Sequence, residues 1–149
     1  MATTLKIKVR PMTEADLERV LEIETASFPN PWKREHFVDE LDALHSFPFV
    51  AVADKSIVGY VCLMSLFEEA QILDIAVDPG QRGRGVALRL LEHAVAVARG
   101  KNAEQISLEV RASNVSAIKL YEKCGFVCTG LRQKYYEGSE DAVLMEKRL

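Results

Sequence analysis

The stretch VDPGQRGRGVALRLLEHA, residues 77–94, sets Gly83 and Gly85 among Arg82, Arg84 and Arg89, just before an apolar run with helical spacing. A helix start leaves backbone N–H groups without carbonyl partners and carries about half a positive charge, a combination suited to an anion. Glycine lets the main chain approach that anion closely and adopt dihedrals closed to other residues. The arginines would add charge-assisted contacts. The pattern predicts a phosphate-holding turn, although an ordinary glycine-rich turn with solvated arginines has the same residues. Familiar nucleotide motifs do not fit: there is no G-x-x-x-x-G-K-[ST], and the third glycine of a G-x-G-x-x-G would fall on Leu88.

A second group lies downstream. In EQISLEVRA, residues 104–112, Glu109 shares one strand face with Ser107 and Arg111, while Ile106, Leu108 and Val110 fill the other. On its own this is a carboxylate paired with Arg111 or solvated. In SNVSAIKLYEKCGF, Asn114 suits a helix cap and Tyr121 can pack on Ile118. Cys62, Cys124 and Cys128 are odd in number, and Cys124-x-x-x-Cys128 has no nearby His or second Cys pair to complete a zinc site, so buried reduced thiols and no metal are expected.

The elements that must position these groups follow from periodicity. LKIKVR (5–10) alternates like a half-buried strand; Thr13 with Asp16 caps a first helix carried to about Thr25, with Met12 stapled on Leu17. Asn30-Pro31 reads as the cap and first residue of a second helix through Phe37 and Leu41. PFVAVA and SIVGYVCLMSLF form a hairpin across Asp54-Lys55, and AQILDIAVDP, apolar on both faces, is a central strand. A helix from Val86 to about Arg99 ends at Gly100 as its cap. Strand 104–112, a helix ending at Gly125, and a closing antiparallel pair FVCTGLR and EDAVLMEKR complete the chain.

At 149 residues the chain fits one domain, residues 1–149, able to bury roughly 70% of its unfolded surface. With 48% hydrophobic and 28% charged residues it reads as an ordinary soluble protein. The 19 basic and 22 acidic residues, net −3, give no basic footprint for nucleic acid, so any positive site is local. The start lacks a signal-peptide core, and no run approaches the ~18 apolar residues of a membrane span, so a cytoplasmic protein without a membrane partner is expected.

Residues 82–87, R-G-R-G-V-A, match the Q/R-x-x-G-x-G/A signature of the GNAT family of N-acetyltransferases, with Ala87 at the position where the signature permits Gly or Ala. In that family the turn binds the pyrophosphate of acetyl-coenzyme A. ILDIAVDPGQRGRGVALRLLEHA, LEVRASNVSAIKLYEKCGF and LRQKYYEGSEDAVLM resemble the RimI-type bacterial members, which acetylate the N-terminal alanine of the eighteenth small-subunit ribosomal protein. The likeness covers nearly the whole chain and is loosest over residues 38–70. It implies an α/β fold (an α+β mixed sheet), a central, mostly antiparallel sheet flanked by helices on both faces.

The resemblance also implies roles. Acetyl-coenzyme A as co-substrate would be held by the backbone of Ile75, Ala76 and Val77, by the turn and helix start at Arg82, Gly83, Arg84, Gly85, Val86, Ala87 and Leu88, and by Asn114. Glu109 would be the general base and Tyr121 the acid for the departing thiolate. Glu24, Trp32, Tyr135 and Tyr136 would hold the substrate N-terminus, though each also suits a core or hairpin position. An amine attacks only when neutral; about a tenth of an α-amine of pKa ~7.7–8.0 is neutral at pH 7, against a few parts in ten thousand for lysine at ~10.4. An N-terminal substrate therefore asks less of its base. The expected reaction is direct transfer in a ternary complex, without an acyl-enzyme, by a chain expected to be a monomer. The alternatives are an enzyme of the same family acting on lysine or small-molecule amines, a non-catalytic acyl-CoA-binding module, and a phosphate-binding protein unrelated to coenzyme A.

Overall fold

A computed structural model describes residues 5–136 and 138–149. Its elements are β1 (Lys8–Pro11), α1 (Leu17–Ser27), α2 (Arg34–Asp42), β2 (Ser46–Ala53), β3 (Ser56–Leu66), β4 (Glu69–Val77), α3 (Val86–Gly100), β5 (Gln105–Arg111), α4 (Val115–Lys123), β6 (Val127–Tyr136) and β7 (Glu140–Arg148). The strands form one seven-stranded sheet in the order β1-β2-β3-β4-β5-β7-β6. Every neighbouring pair is antiparallel except β4 with β5. The mixed α/β fold expected from the sequence is the one found, with β4 central.

Two apolar layers cover the sheet. On one face α3 and α4 pack Val86, Leu90, Leu91, Ala94 and Tyr121 against Val61, Leu63, Ile106, Leu108 and Val110. On the other, α1 and α2 pack Leu17, Val20, Ile23 and Phe37 against Val50, Tyr60, Cys62 and Ala76. Strand alternation therefore assigns each side chain of β3, β4 and β5 to one layer or the other. At Gly59 a Cβ would lie 2.8 Å from the Ala76 carbonyl and 3.1 Å from both Val86 and Leu90, so only glycine lets the start of α3 press onto the sheet. Arg19 of α1 pairs with Asp78 at 2.6 Å, tying the opposite layer to the loop before α3.

Local chemistry sets the element ends, and several differ from expectation. Residues 5–10 form a shorter strand, Lys8–Pro11, although Leu5, Ile7 and Val9 all pack on the core. The first helix is preceded by a 3₁₀ turn over Glu14–Asp16, where Asp16 accepts the Thr13 N–H at 2.8 Å and a two-pronged Arg10 at 2.8 and 2.9 Å. The second helix starts at Arg34 rather than at Asn30-Pro31: Glu24 captures the Trp32 N–H, the chain stays extended through Lys33, and the His36 ring accepts the Lys33 N–H. Gly100 lies within α3; the left-handed residue that ends the turn is Asn102, φ 66°. Asp54 and Lys55, φ 49° and 65°, make the expected tight hairpin. The closing pair is antiparallel as expected, but β7 inserts between β5 and β6.

Candidate active site

The parallel pairing of β4 with β5 covers only Glu69 to Gln71 against Gln105 to Ser107. Beyond those three pairs the strands part, while each keeps its antiparallel neighbour on the outer side. The gap is a cavity of about 540 Å³ bounded by Ile72, Leu73, Asp74 and Ile75 of β4 and by Leu108, Glu109, Val110 and Arg111 of β5. Glu24, Trp32, Asn114, Tyr121, Tyr135 and Tyr136 also line it, so six residues scattered over the sequence meet at one cavity. A larger hollow on the outer side of α1, lined by Leu21, Thr25 and Arg34 among others, contains neither Glu109 nor Tyr121.

The cavity passes between layers. Ile106, Leu108 and Val110 belong to the α3–α4 core, so Glu109 faces the α1–α2 side. Tyr121 comes from the other side, on α4, and is only 7% exposed. Burial, followed by the charge of Asp74, pushes its phenol well above the usual tyrosine range, which keeps it a proton carrier. The Glu109 carboxylate keeps 21% of its side-chain surface exposed and pairs with Arg132 of β6 at 3.3 Å. The expected partner, Arg111, instead meets Glu140 at 3.3 Å and lies over the Tyr136 ring, 4.3 Å from its centroid.

The peptide-holding candidates divide by environment. Tyr135 is half exposed and Tyr136 half-buried, their rings 5.1 Å apart, with the Tyr136 phenol pushed up to about 12 by burial and the nearby Glu109. Trp32 stacks near Phe37 at 5.2 Å. Glu24 is 2% exposed, and its two oxygens accept the Trp32 N–H at 2.9 Å and the Tyr60 hydroxyl at 2.5 Å. It thus pins the α1–α2 connection to β3 as well as lining the cavity. Asn114 caps α4 through the Ala117 N–H at 3.3 Å, so its capping reading holds alongside its place in the cavity wall.

The glycine turn lies at the α3 end of β4. Gly83 and Gly85 have φ of 77° and 83°, conformations that other residues rarely take, and Gly85 caps α3. An added Cβ would meet nothing within 4 Å at either position, so the glycines serve backbone shape and an open approach rather than packing. Arg82 and Arg84 are exposed beside them, with Arg82 3.4 Å from the Ser27 hydroxyl. Arg89 does not join the cluster: one turn into the helix, it donates to the Ile7 carbonyl at 3.2 Å. Ala76 and Val77 are buried and Ile75 half-buried, on the stretch of β4 beyond its pairing with β5.

Asp74 is the site residue that periodicity missed. It interrupts the apolar run ILDIAV, pairs across strands with Cys62, and lies beside the Glu24 carboxyl. Burial first, and Glu24 second, push it well above the usual carboxylate range. A charged residue in a strand apolar on both faces was the available signal. The cysteines are all unpaired; Cys62 is buried and its thiol pushed up, but Cys128 is exposed, contrary to the buried thiols expected, because β6 is an edge strand. Among the described residues, no group of three or more His, Cys, Asp or Glu is arranged to hold a metal, and no helix is long and apolar enough to cross a membrane.

The model of the acetyltransferase (GNAT) family matches residues 17–126. The chain is 35% identical over 153 residues to the N-alpha-acetyltransferase RimI of Mycobacterium tuberculosis, covering 98% of this chain and 95% of that protein. It is 32% identical over 137 residues to the ribosomal protein bS18-alanine N-acetyltransferase of Salmonella typhimurium, covering 90% and 92%. The crystal structure of the ribosomal-protein-S18-alanine N-acetyltransferase from Escherichia coli superimposes with a TM-score of 0.89 at 29% identity, covering 96% of this chain and 94% of that one.

Proposed function

The chain belongs to the acetyltransferase (GNAT) family, and on that premise we propose that its substrate is a protein N-terminal amine, that of the alanine heading ribosomal protein bS18. It is an acetyl-coenzyme A-dependent N-acetyltransferase of the RimI type. The observation that carries the finer reading is the cavity between β4 and β5, lined by Glu109 on one side of the sheet and by Tyr121 from the other.

The residues suit the donor. Acetyl-coenzyme A, when bound, supplies an activated acetyl thioester. The open turn at Gly83 and Gly85, with the first-turn N–H groups of Val86, Ala87 and Leu88 and the guanidinium groups of Arg82 and Arg84, offers donors for a diphosphate. The edge of β4 at Ile75, Ala76 and Val77, unpaired with β5, offers backbone groups to an extended amide-bearing arm.

On the α1–α2 side, Glu109 takes the proton of the incoming amine, directly or through a water, once the amine replaces Arg132 as its partner. Tyr121 holds its proton for the leaving sulfur; transfer to a thiolate of pKa ~8.5 is uphill from tyrosine, so hydrogen bonding carries much of its role. Asn114 contributes its side chain to the donor's side of the cavity. Tyr135, Tyr136 and Trp32 form the rim along which the first residues of a polypeptide lie. The two reactants meet from opposite faces, which supports direct transfer without an acyl-enzyme.

Incubation with acetyl-coenzyme A and peptides beginning Ala-Arg, Ser or Met, beside a peptide whose only free amine is a lysine side chain, tests the reading by mass. Acetylation of the alanine peptide at its α-amine is expected. Transfer to lysine alone would move the substrate class, and donor binding with no transfer would mark a non-catalytic acyl-CoA-binding module.

A further inference from the structure

Asp74 is a half-buried residue in the cavity wall that none of these roles uses. Its Oδ2 has no surface and no donor in reach. A structural aspartate in this protein looks different: Asp16 is saturated by Arg10 and by Thr13. Beside Asp74, the Trp32 N–H and the Tyr60 hydroxyl are both spent on Glu24. Leaving a carboxyl oxygen out of water without a donor is costly unless the group holds a proton or meets a donor on a ligand. Asp74 also lines the cavity, on the face that carries Cys62, Tyr60 and Ala76 and toward which Glu109 points on the neighbouring strand.

We propose that Asp74 docks the substrate amine: its carboxylate accepts an N–H of the incoming ammonium and holds the nitrogen on the Glu109 side of the gap between β4 and β5. The assignment rests on the reading of the site as one for N-terminal amines and adds what makes it select a cation. At rest, burial and the facing Glu24 favour the protonated form of the Asp74 carboxyl. The ammonium brings its own positive charge, so the Asp74 proton leaves for solvent as the amine enters. Glu109 then takes one proton from the nitrogen, freeing the attacking lone pair, while a remaining N–H stays on Asp74.

The groups facing Asp74 are Glu24 of α1, Tyr60 and Cys62 of β3 and Tyr121 of α4, with Glu109 and Tyr136 in the same cavity and Glu40 of α2 acting on Cys62. No cation acts on Asp74 itself; the two guanidinium groups nearby, Arg111 in the cavity wall and Arg132 on Glu109, are engaged by Glu140 and Glu109, so an arriving ammonium is the first positive charge against the Asp74 carboxyl.

The test uses Asp74→Asn, which keeps the shape and can donate to Glu24. Steady-state kinetics with the alanine peptide should show KM rising about tenfold or more, the loss of a charge-assisted hydrogen bond, and kcat falling less. Calorimetry at pH 6.5 with coenzyme A in place of the acetyl donor, in two buffers of different ionisation enthalpy, should show up to one proton released per alanine peptide bound by the wild type and none by Asp74→Asn. A desamino peptide should release none with either. If Asp74→Asn does not fold, Asp74→Ser takes its place in the same measurements. Wild-type turnover with unchanged KM and proton release in the variant overturns the docking role alone. A wild type that acetylates no N-terminal peptide overturns the N-terminal reading and this assignment with it.

Discussion

Arg132 of β6 reaches diagonally past β7 to pair with Glu109 of β5 at 3.3 Å: in the register Arg132 lies opposite Ala142, and Glu109 lies opposite Leu144, two residues further along β7. Because Arg132 keeps 54% of its side-chain surface exposed, the pair is worth about 0.2–1 kcal/mol, weak enough for an amine to displace. Arg132→Met should therefore lower the peptide KM by up to about fivefold, and the wild type should gain part of that advantage in higher salt, where the pair is screened. Kinetics at two ionic strengths checks both.

Glu109→Gln keeps the shape of the side chain and removes the proton acceptor. Its kcat should fall about 10²-fold or more, while the affinity for acetyl-coenzyme A, read by calorimetry, stays near that of the wild type. Equal loss of donor binding would mean that the side chain supports the cavity rather than the chemistry.

Gly85→Ala places a methyl group in open space but forces alanine to φ 83°. The cost should be about 1–2 kcal/mol of stability. The donor KM should rise more than the peptide KM if the amides that follow Gly85 hold the donor's diphosphate as proposed. Thermal unfolding and two-substrate kinetics separate the two effects.

Cys124→Ser with Cys128→Ser should leave turnover within about twofold, since a direct transfer uses neither thiol. Burial holds the Cys124 thiol up, away from the thiolate a covalent route requires. A burst of acetylated enzyme in the wild type, lost in the double variant, would reverse this conclusion.

Alkaline stability should be set by tyrosines. Burial raises Tyr60, Tyr121 and Tyr136 above the ordinary value of about 10. Between that value and the folded ones the unfolded chain gives up protons that the native chain keeps, so the stabilisation is whole below about pH 10 and drains as pH rises through the folded values. A Tm series from pH 8 to 11 should fall most steeply above pH 10, and Tyr60→Phe should flatten the slope whatever it does at neutral pH.

Most of this architecture was legible because the signals are local. Strand alternation in residues 104–112 sent Glu109 to one face, and Asp54-Lys55 announced its hairpin. Asn114 and Gly125 marked the two ends of α4, where Gly125 takes φ 95°. What periodicity could not show depends on distant partners. The Asn30-Pro31 cap failed because a carboxylate six residues earlier, Glu24, takes the Trp32 N–H and delays the helix. The pairing of Glu109 with Arg132 rather than Arg111 follows from the insertion of β7, a topological fact with no local trace. Asp74 was visible as an anomaly in ILDIAV, but its meaning came only with Glu24 beside it.

The parting of β4 from β5 leaves a row of main-chain groups unzipped in mid-sheet. At an outer border such a row would recruit a foreign strand and invite aggregation. Here the row lies inside the sheet, flanked by the α3–α4 layer on one face and the α1–α2 layer on the other, so it opens onto a cavity instead of an outer border.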